Sequence, residues 1–279
     1  MNTVDAYLNA LKSPFQVADV PDLSGLAKTG PKVLLFSPHP DDEVIVGALP
    51  LRIRRELKAH VINVAVTLGS DPERRDARRN ELKRACAIVD FDLHELGYIG
   101  VTSDTRVQEP KDGRPTTWQI WCKEVVELIY LHKPNAIFLP HEHDGHPAHE
   151  GTYRLVMDAL NAVENGLPRP HLFKTEFWHP NTYPNLMIES SKGDLALLLK
   201  ALAEHRGEIE RNPYHLRLPA WMMDNTRRGA ERVQMHGASA PNFAFSTLYH
   251  HILPDRTSAN AKLIGQNDPI DSLVESSLD

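Results

Sequence analysis

Along this chain, short unbroken apolar runs alternate with stretches whose apolar residues recur every three or four positions. Val33 to Ser37 is the first run, and it reads as a strand buried on both faces. Pro38-His39-Pro40 stops it. In Glu43 to Leu57, Val44, Ala48 and Leu51 share one helical face, and Arg52, Arg54, Arg55 and Glu56 lie on the other. Pro50 stands inside this helix as a fault. Ala59 to Leu68 is long and β-branched, as strands are. Asp71 is placed as the cap, and Pro72 as the first residue, of a helix that runs to Val89. Leu93 to Leu96 reads as a short strand, and a polar loop over 98–117 follows it. Thr117 to Leu131 carries the stripe Ile120, Trp121, Val125, Leu128 and Ile129. The pattern then predicts a strand over Ala136 to Pro140, a helix over Pro147 to Glu164 and a strand over Leu172 to Trp178. Helices over Ser191 to Glu210 and Ala220 to Val233 and an alternating strand over Phe243 to Ile252 complete it. Strand alternating with helix from residue 32 onward defines an α/β chain. No repeat or linker divides it, so 32–254 is expected to be a single domain. Residues 1–31 form an N-terminal extension, helical over Val4 to Leu11 and broken by Pro14, Pro21 and Pro31. Residues 255–279 form a polar C-terminal tail.

Composition narrows the class. At 41% hydrophobic and 24% charged, the 279 residues match a globular protein with a sizeable core. The net charge of −6 argues against a nucleic-acid partner, which needs a basic face. Cys86 and Cys122 form neither a metal knuckle nor a disulfide framework. Met1 to Ala10 lacks the basic and apolar regions of a secretory leader, and no apolar run approaches the roughly 18 residues of a membrane span. A cytoplasmic protein is expected.

The chemistry concentrates at two places. The first strand ends in His39-Pro40-Asp41-Asp42-Glu43, imidazole and carboxylate donors within a few residues, a set suited to a divalent metal. The strand at 136–140 ends in His141-Glu142-His143-Asp144-Gly145-His146-Pro147-Ala148-His149, where four of the chain's 15 histidines fall. If both strands are parallel and central, their carboxyl ends bring the clusters together, where open α/β sheets bind ligands. His141 and His143 read as loop residues, His179 as either pocket lining or turn, and Trp221 as core. An H-x-D motif of Fe(II) oxygenases does not fit, because those enzymes are all-β.

Pro38-His39-Pro40-Asp41-Asp42-Glu43 together with His146-Pro147-Ala148-His149 resembles the signature of the LmbE/PIG-L family of zinc-dependent N-deacetylases. The resemblance covers residues 32 to 210. It implies a Rossmann-like three-layer α/β/α sandwich with a mostly parallel sheet. It implies one Zn²⁺ held by His39, Asp42 and His149, with Asp41 as general base toward metal-bound water. His146 is implied to stabilise the oxyanion or to act as acid. Arg78, paired with Glu81 in an R-x-x-E spacing, is implied near the substrate. Asp144, His179 and Arg217 are further candidates for contacting it. Ala148 departs from the family, which commonly has an Asp there to orient the neighbouring His; Asp144 and Glu142 are the substitutes at hand. The run Arg211-Asn212-Pro213-Tyr214-His215-Leu216-Arg217-Leu218-Pro219-Ala220-Trp221-Met222-Met223-Asp224-Asn225 resembles deacetylase-type modules fused to glucosamine-6-phosphate deaminase-like domains, an amino-sugar context. The implied substrate is an N-acetylated amino sugar or related small amide, and homo-oligomers are common in the family. A hydratase of an unsaturated dicarboxylic acid on the same fold, and a non-catalytic sugar-binding module, are the alternatives.

Overall fold

The computed structural model describes residues 2–12, 20–109, 112, 114–163, 166–235 and 237–275. Pro14, Glu164 and the last four residues, named above from the sequence, lie outside these. The strands are β1 (Lys32–Ser37), β2 (His60–Thr67), β3 (Asp92–Tyr98), β4 (Ala136–Pro140), β5 (His171–Thr175), β6 (Leu186–Ser190), β7 (Phe245–Ile252) and β8 (Lys262–Ile264). They form one sheet in the order β3-β2-β1-β4-β5-β7-β6-β8. Pairing is parallel from β3 through β5, and β7 runs antiparallel to both of its neighbours. The helices are α1 (Thr3–Lys12), α2 (Asp42–Ile45), α3 (Ala48–Glu56), α4 (Arg75–Val89), α5 (Ser103–Arg106), α6 (Thr117–His132), α7 (Pro147–Ala162), α8 (Lys192–Leu202), α9 (Arg206–Arg211) and α10 (Tyr214–Gln234).

β1 shows why the central strands are apolar throughout. Val33 and Leu35 enter one core with residues of α3 and α8, and Leu34 and Phe36 enter another with residues of α6 and α7. Successive side chains point to opposite faces, so a strand covered on both sides has no polar face. The result is the three-layer sandwich. No helix among the described residues is long and apolar enough to cross a membrane.

Five differences from the sequence reading have physical causes. The helix expected over 43–57 is two helices broken at Val46-Gly47, where a Cβ on Gly47 would lie 2.3 Å from the Glu43 carbonyl. Pro50 falls in the first turn of α3, where no intrahelical N–H is required, so it breaks nothing. In α6, Trp118 is buried and Ile120 is 46% exposed, which shifts the expected stripe. Most consequential, Arg52 and Arg54, expected on a solvated face, are wholly buried. Arg52 pairs with Glu56 (2.9 Å) and donates to the carbonyls of Glu189, Gly265 and Asp268. Arg54 pairs with Asp90 (2.5 Å) and donates to the carbonyls of Leu26 and Ala27. Each guanidinium therefore ties a terminal segment to α3. Leu23 is buried on the N-terminal side. The stretch read as a polar tail from 255 instead adds β8 to the sheet and buries Ile270, Leu273 and Val274. Its few apolar residues are diluted among polar ones, so no apolar run marks it.

Two tests follow from this burial. Arg52→Ala leaves the Gly265 and Asp268 carbonyls without this donor and Glu56 with Arg55 alone, and about 1–3 kcal/mol of stability is expected to be lost in urea unfolding. Arg227→Ala, which removes an exposed pair with Asp224, should cost under about 1 kcal/mol; equal losses would refute the clamp. The second test concerns His251, which stacks on Phe173 and shares a 2.9 Å hydrogen bond with His171, itself 2.9 Å from the Glu275 carbonyl. Burial, then the nearby His171 and Lys262, hold the His251 imidazole down at about 3. The unfolded chain takes up that proton near pH 6.5 and the folded chain only near 3. Stability is therefore complete above pH 6.5 and falls as the pH drops, by up to about 1.4 kcal/mol per unit. His251→Gln should flatten the slope of unfolding free energy against pH over that window.

Candidate metal centre

β1 and β4 are neighbours at the point where the sheet order reverses, so the turns after them open into one crevice. The turn after β1 delivers His39, Asp41 and Asp42. The loop after β4 delivers His146, which caps α7, and Pro147 at the first helical position then allows α7 to begin. His149 stands one turn in. Three donor atoms converge. His39 Nδ1 lies 3.3 Å from His149 Nε2 and 3.5 Å from Asp42 Oδ2, and His149 Nε2 lies 3.4 Å from the same carboxylate oxygen. Ligands about 2.0–2.2 Å from a tetrahedral ion stand roughly 3.3–3.5 Å from one another, so this near-equilateral triangle fits a small divalent cation. Asp42 Oδ1 is buried with no hydrogen-bond partner. A ring nitrogen of His146 lies within 4.8 Å of those of His39 and His149.

Surrounding residues fix these donors. Asp144 Oδ1, in a wholly buried residue, stands 3.1 Å from His149 Nδ1. The His149 proton therefore belongs on Nδ1, and Nε2 faces the triangle with its lone pair. Phe177 stacks on the same ring at 5.5 Å. Burial opposes the charge of Asp42, but His149 and His39 outweigh it and hold the carboxyl below its usual range. Burial likewise opposes protonation of His149, and Asp42 and Asp144 reverse that, raising its pKa. His146 Nδ1 accepts the Ala148 N–H at 3.2 Å, which leaves its proton on Nε2. Burial, then His39 and His149, lower its pKa to about 4.

Asp41 is the strained residue, with φ 109° and ψ −29° in a non-glycine. Such backbone costs about 1–3 kcal/mol and persists only where neighbours impose it. Here its N–H donates to Glu43 Oε2 (3.0 Å), and Glu43 Oε1 meets His205 Nε2 at 2.7 Å, both side chains wholly buried. Burial, followed by the Asp42 charge, pushes the Asp41 carboxyl well above its usual range against the pull of Arg78.

A cleft of about 420 Å³ opens over His39, Asp41 and His146. Arg78 lines it and donates to the Pro40 carbonyl at 3.0 Å; a Cβ on Gly69 would stand 2.3 Å from that guanidinium. Glu81 instead accepts the Gly207 N–H. Asp144 lies beneath the ligands rather than in the cleft. The His179 ring packs on Gly145 and is not among the lining residues, while His141 is buried against the His179 carbonyl. Arg217 lines a separate hollow with Leu218 and Trp221. Sequence reasoning missed Glu208 and Trp178, which line the cleft beside Tyr98, Arg211, Asn212 and Tyr214. Trp178 stands just past the end of β5, the one signal available for it.

An open sheet with a histidine–aspartate cluster at its switch point defines an α/β protein built around a cation site. Residues 34–160 match the model of the PIG-L family, GlcNAc-PI de-N-acetylase. The 1D-myo-inositol 2-acetamido-2-deoxy-alpha-D-glucopyranoside deacetylase of Thermomonospora curvata is 31% identical over 160 residues, covering 48% of this chain and 54% of that protein. The match thus spans about half the length of that relative. Two solved structures share the fold. The 4-carboxy-2-hydroxymuconate hydratase GalB of Pseudomonas putida KT2440 has a TM-score of 0.61 at 14% identity, over 83% of this chain and all of that one. The N,N'-diacetylchitobiose deacetylase of Pyrococcus horikoshii has a TM-score of 0.57 at 16% identity, over 91% and 94%.

If Asp144 orients His149, Asp144→Ala should weaken zinc affinity about 10–100-fold in a calorimetric titration. Glu142→Ala should leave it unchanged, because Glu142 pairs with Lys174 at 2.8 Å. Equal effects of the two substitutions would remove the assigned role.

Proposed function

We propose that the chain is a zinc-dependent N-deacetylase acting on an N-acetylated amino sugar or related small amide. The single observation that carries this is the donor triangle of His39, Asp42 and His149, with edges of 3.3–3.5 Å, beside the cleft-lining Asp41. The PIG-L match and the deacetylase relative support the same reading. When bound, a zinc ion supplies Lewis acidity toward the attacking water and the amide carbonyl. Asp41 takes the proton of that water as the C–O bond forms, and gives it to the amine nitrogen as the C–N bond breaks. His146 donates from Nε2 to the oxygen on which charge develops; the backbone bond to its Nδ1 fixes that direction. Arg78 closes the cleft wall beside Asp41.

A dicarboxylate substrate, as a hydratase would take, needs uncommitted cations. The two arginines that line the cleft, Arg78 and Arg211, both already pair with Glu208, at 3.4 and 2.7 Å. That favours the amide reading over the hydratase.

The test is acetate release from N-acetylglucosamine and related acetamido sugars. Zinc-loaded protein should release acetate, chelation should abolish it and added zinc restore it. Asp41→Ala should lower kcat about 10²–10⁴-fold while zinc content stays at that of the unaltered chain. Acetate release that survives Asp41→Ala would overturn the base assignment, and no release from any acetamide would overturn the deacetylase reading.

A further inference from the structure

We propose that Trp178 is the platform on which the substrate's sugar ring stacks, making the cleft selective for cyclic over acyclic acetamides; this rests on the deacetylase reading above. Trp178 is 49% exposed and lines the cleft. Ile99, 63% exposed, lines the same cleft, so the mouth carries two large apolar side chains rather than one stray residue. Apolar surface gathered at a concave site marks a ligand contact more often than scattered exposure does.

The ring is also held still. It lies nearly parallel to His146, 18° apart with centroids at 5.7 Å, and meets Phe177 edge-on at 5.0 Å. Its backbone N–H donates to Asp144 Oδ2 at 3.3 Å, and the other oxygen of that carboxylate contacts His149. The segment beyond is braced as well. Glu176 accepts from Asn181 N–H and pairs with Arg228, both at 2.7 Å, and Arg232 donates to the Asn181 and Thr182 carbonyls. A fixed indole is pre-organised, so little side-chain entropy is lost when a ligand covers it. The face of a pyranose that bears axial C–H bonds is apolar and flat, and it matches an indole face. An acyclic acetamide offers no such face. One carboxylate sets both His149 and Trp178, so a stacked ring is held at a constant position relative to the donor triangle.

The experiment compares binding of N-acetylglucosamine and N-acetylethanolamine, by ligand-observed NMR, to zinc-loaded protein, Trp178→Ala and Trp178→Phe, all checked for cooperative unfolding. The expected result is about a tenfold loss of sugar affinity in Trp178→Ala, most of it recovered in Trp178→Phe, with the acyclic ligand unchanged. KM for the sugar should rise in parallel. Undiminished sugar binding in Trp178→Ala, or equal losses for both ligands, overturns the platform. Because binding needs no turnover, a chain that releases no acetate refutes the deacetylase reading while the NMR comparison still decides Trp178.

Discussion

The cleft depends on one contact buried beneath it, Asp144 against His149. An imidazole can present either nitrogen, and only one choice gives the donor triangle. The carboxylate at 3.1 Å from Nδ1 makes that choice electrostatically, by favouring positive charge and the proton on that side of the ring. Asp144 is wholly buried, and a buried carboxylate is tolerable only with partners; His149 and the Trp178 N–H are those partners. The contact therefore fixes three things together: the tautomer of His149, the rotation of its ring, and the start of the segment after β5 that forms a cleft wall.

A second constraint acts on the other side of the crevice. Asp41 and Asp42 are adjacent, both buried and both acidic, a pairing that raises the energy of the doubly charged state. The left-handed backbone at Asp41 lets the two side chains part, one toward His39 and His149 and the other toward the cleft. That backbone is held from below by Glu43, and Glu43 by His205 at the start of α9. Strain at the centre is thus opposed by a buried hydrogen-bonded pair joining the β1 turn to the elements that carry Glu208 and Arg211. Packing on the apolar faces of β1 and α8 keeps that pair in place.

Legibility in the sequence followed the range of the forces involved. Strands buried on both faces announce themselves as apolar runs, so β1, β2 and β4 were readable to within a residue or two, and with them the site at their ends. β6 and β8 were not. β8 is three residues long, and the apolar residues of β6, Leu186 to Ile188, are too few and too closely flanked by polar ones to read as a run. Arg52 and Arg54 were misread because an arginine on a helix normally reaches water. Their burial is caused by backbone carbonyls from the two chain ends, more than 130 residues away for Glu189 and Gly265. Within the site, His39, Asp42 and His149 came from contiguous motifs. The function of Asp144 did not, because it rests on the distance between a loop and a helix. Trp178 was hidden for the same reason, since exposure in a cleft is a property of the assembled walls.

Ala148 is best understood through Asp144. In the deacetylase signature that His146 to His149 resembles, the carboxylate that orients the histidine comes from within the histidine motif itself. Here position 148 faces the cleft as a methyl group, and the orienting carboxylate comes from the loop before α7. The task is met from underneath, and the cleft wall loses a charge in exchange. With Arg78 and Arg211 committed to Glu208, and with Ile99 and Trp178 exposed at the mouth, the walls away from the donor triangle are more apolar than charged. Such walls favour the flat face of a neutral ring over a multiply charged chain. The substitution that departs most from the family motif and the shape of the cleft thus have one physical explanation.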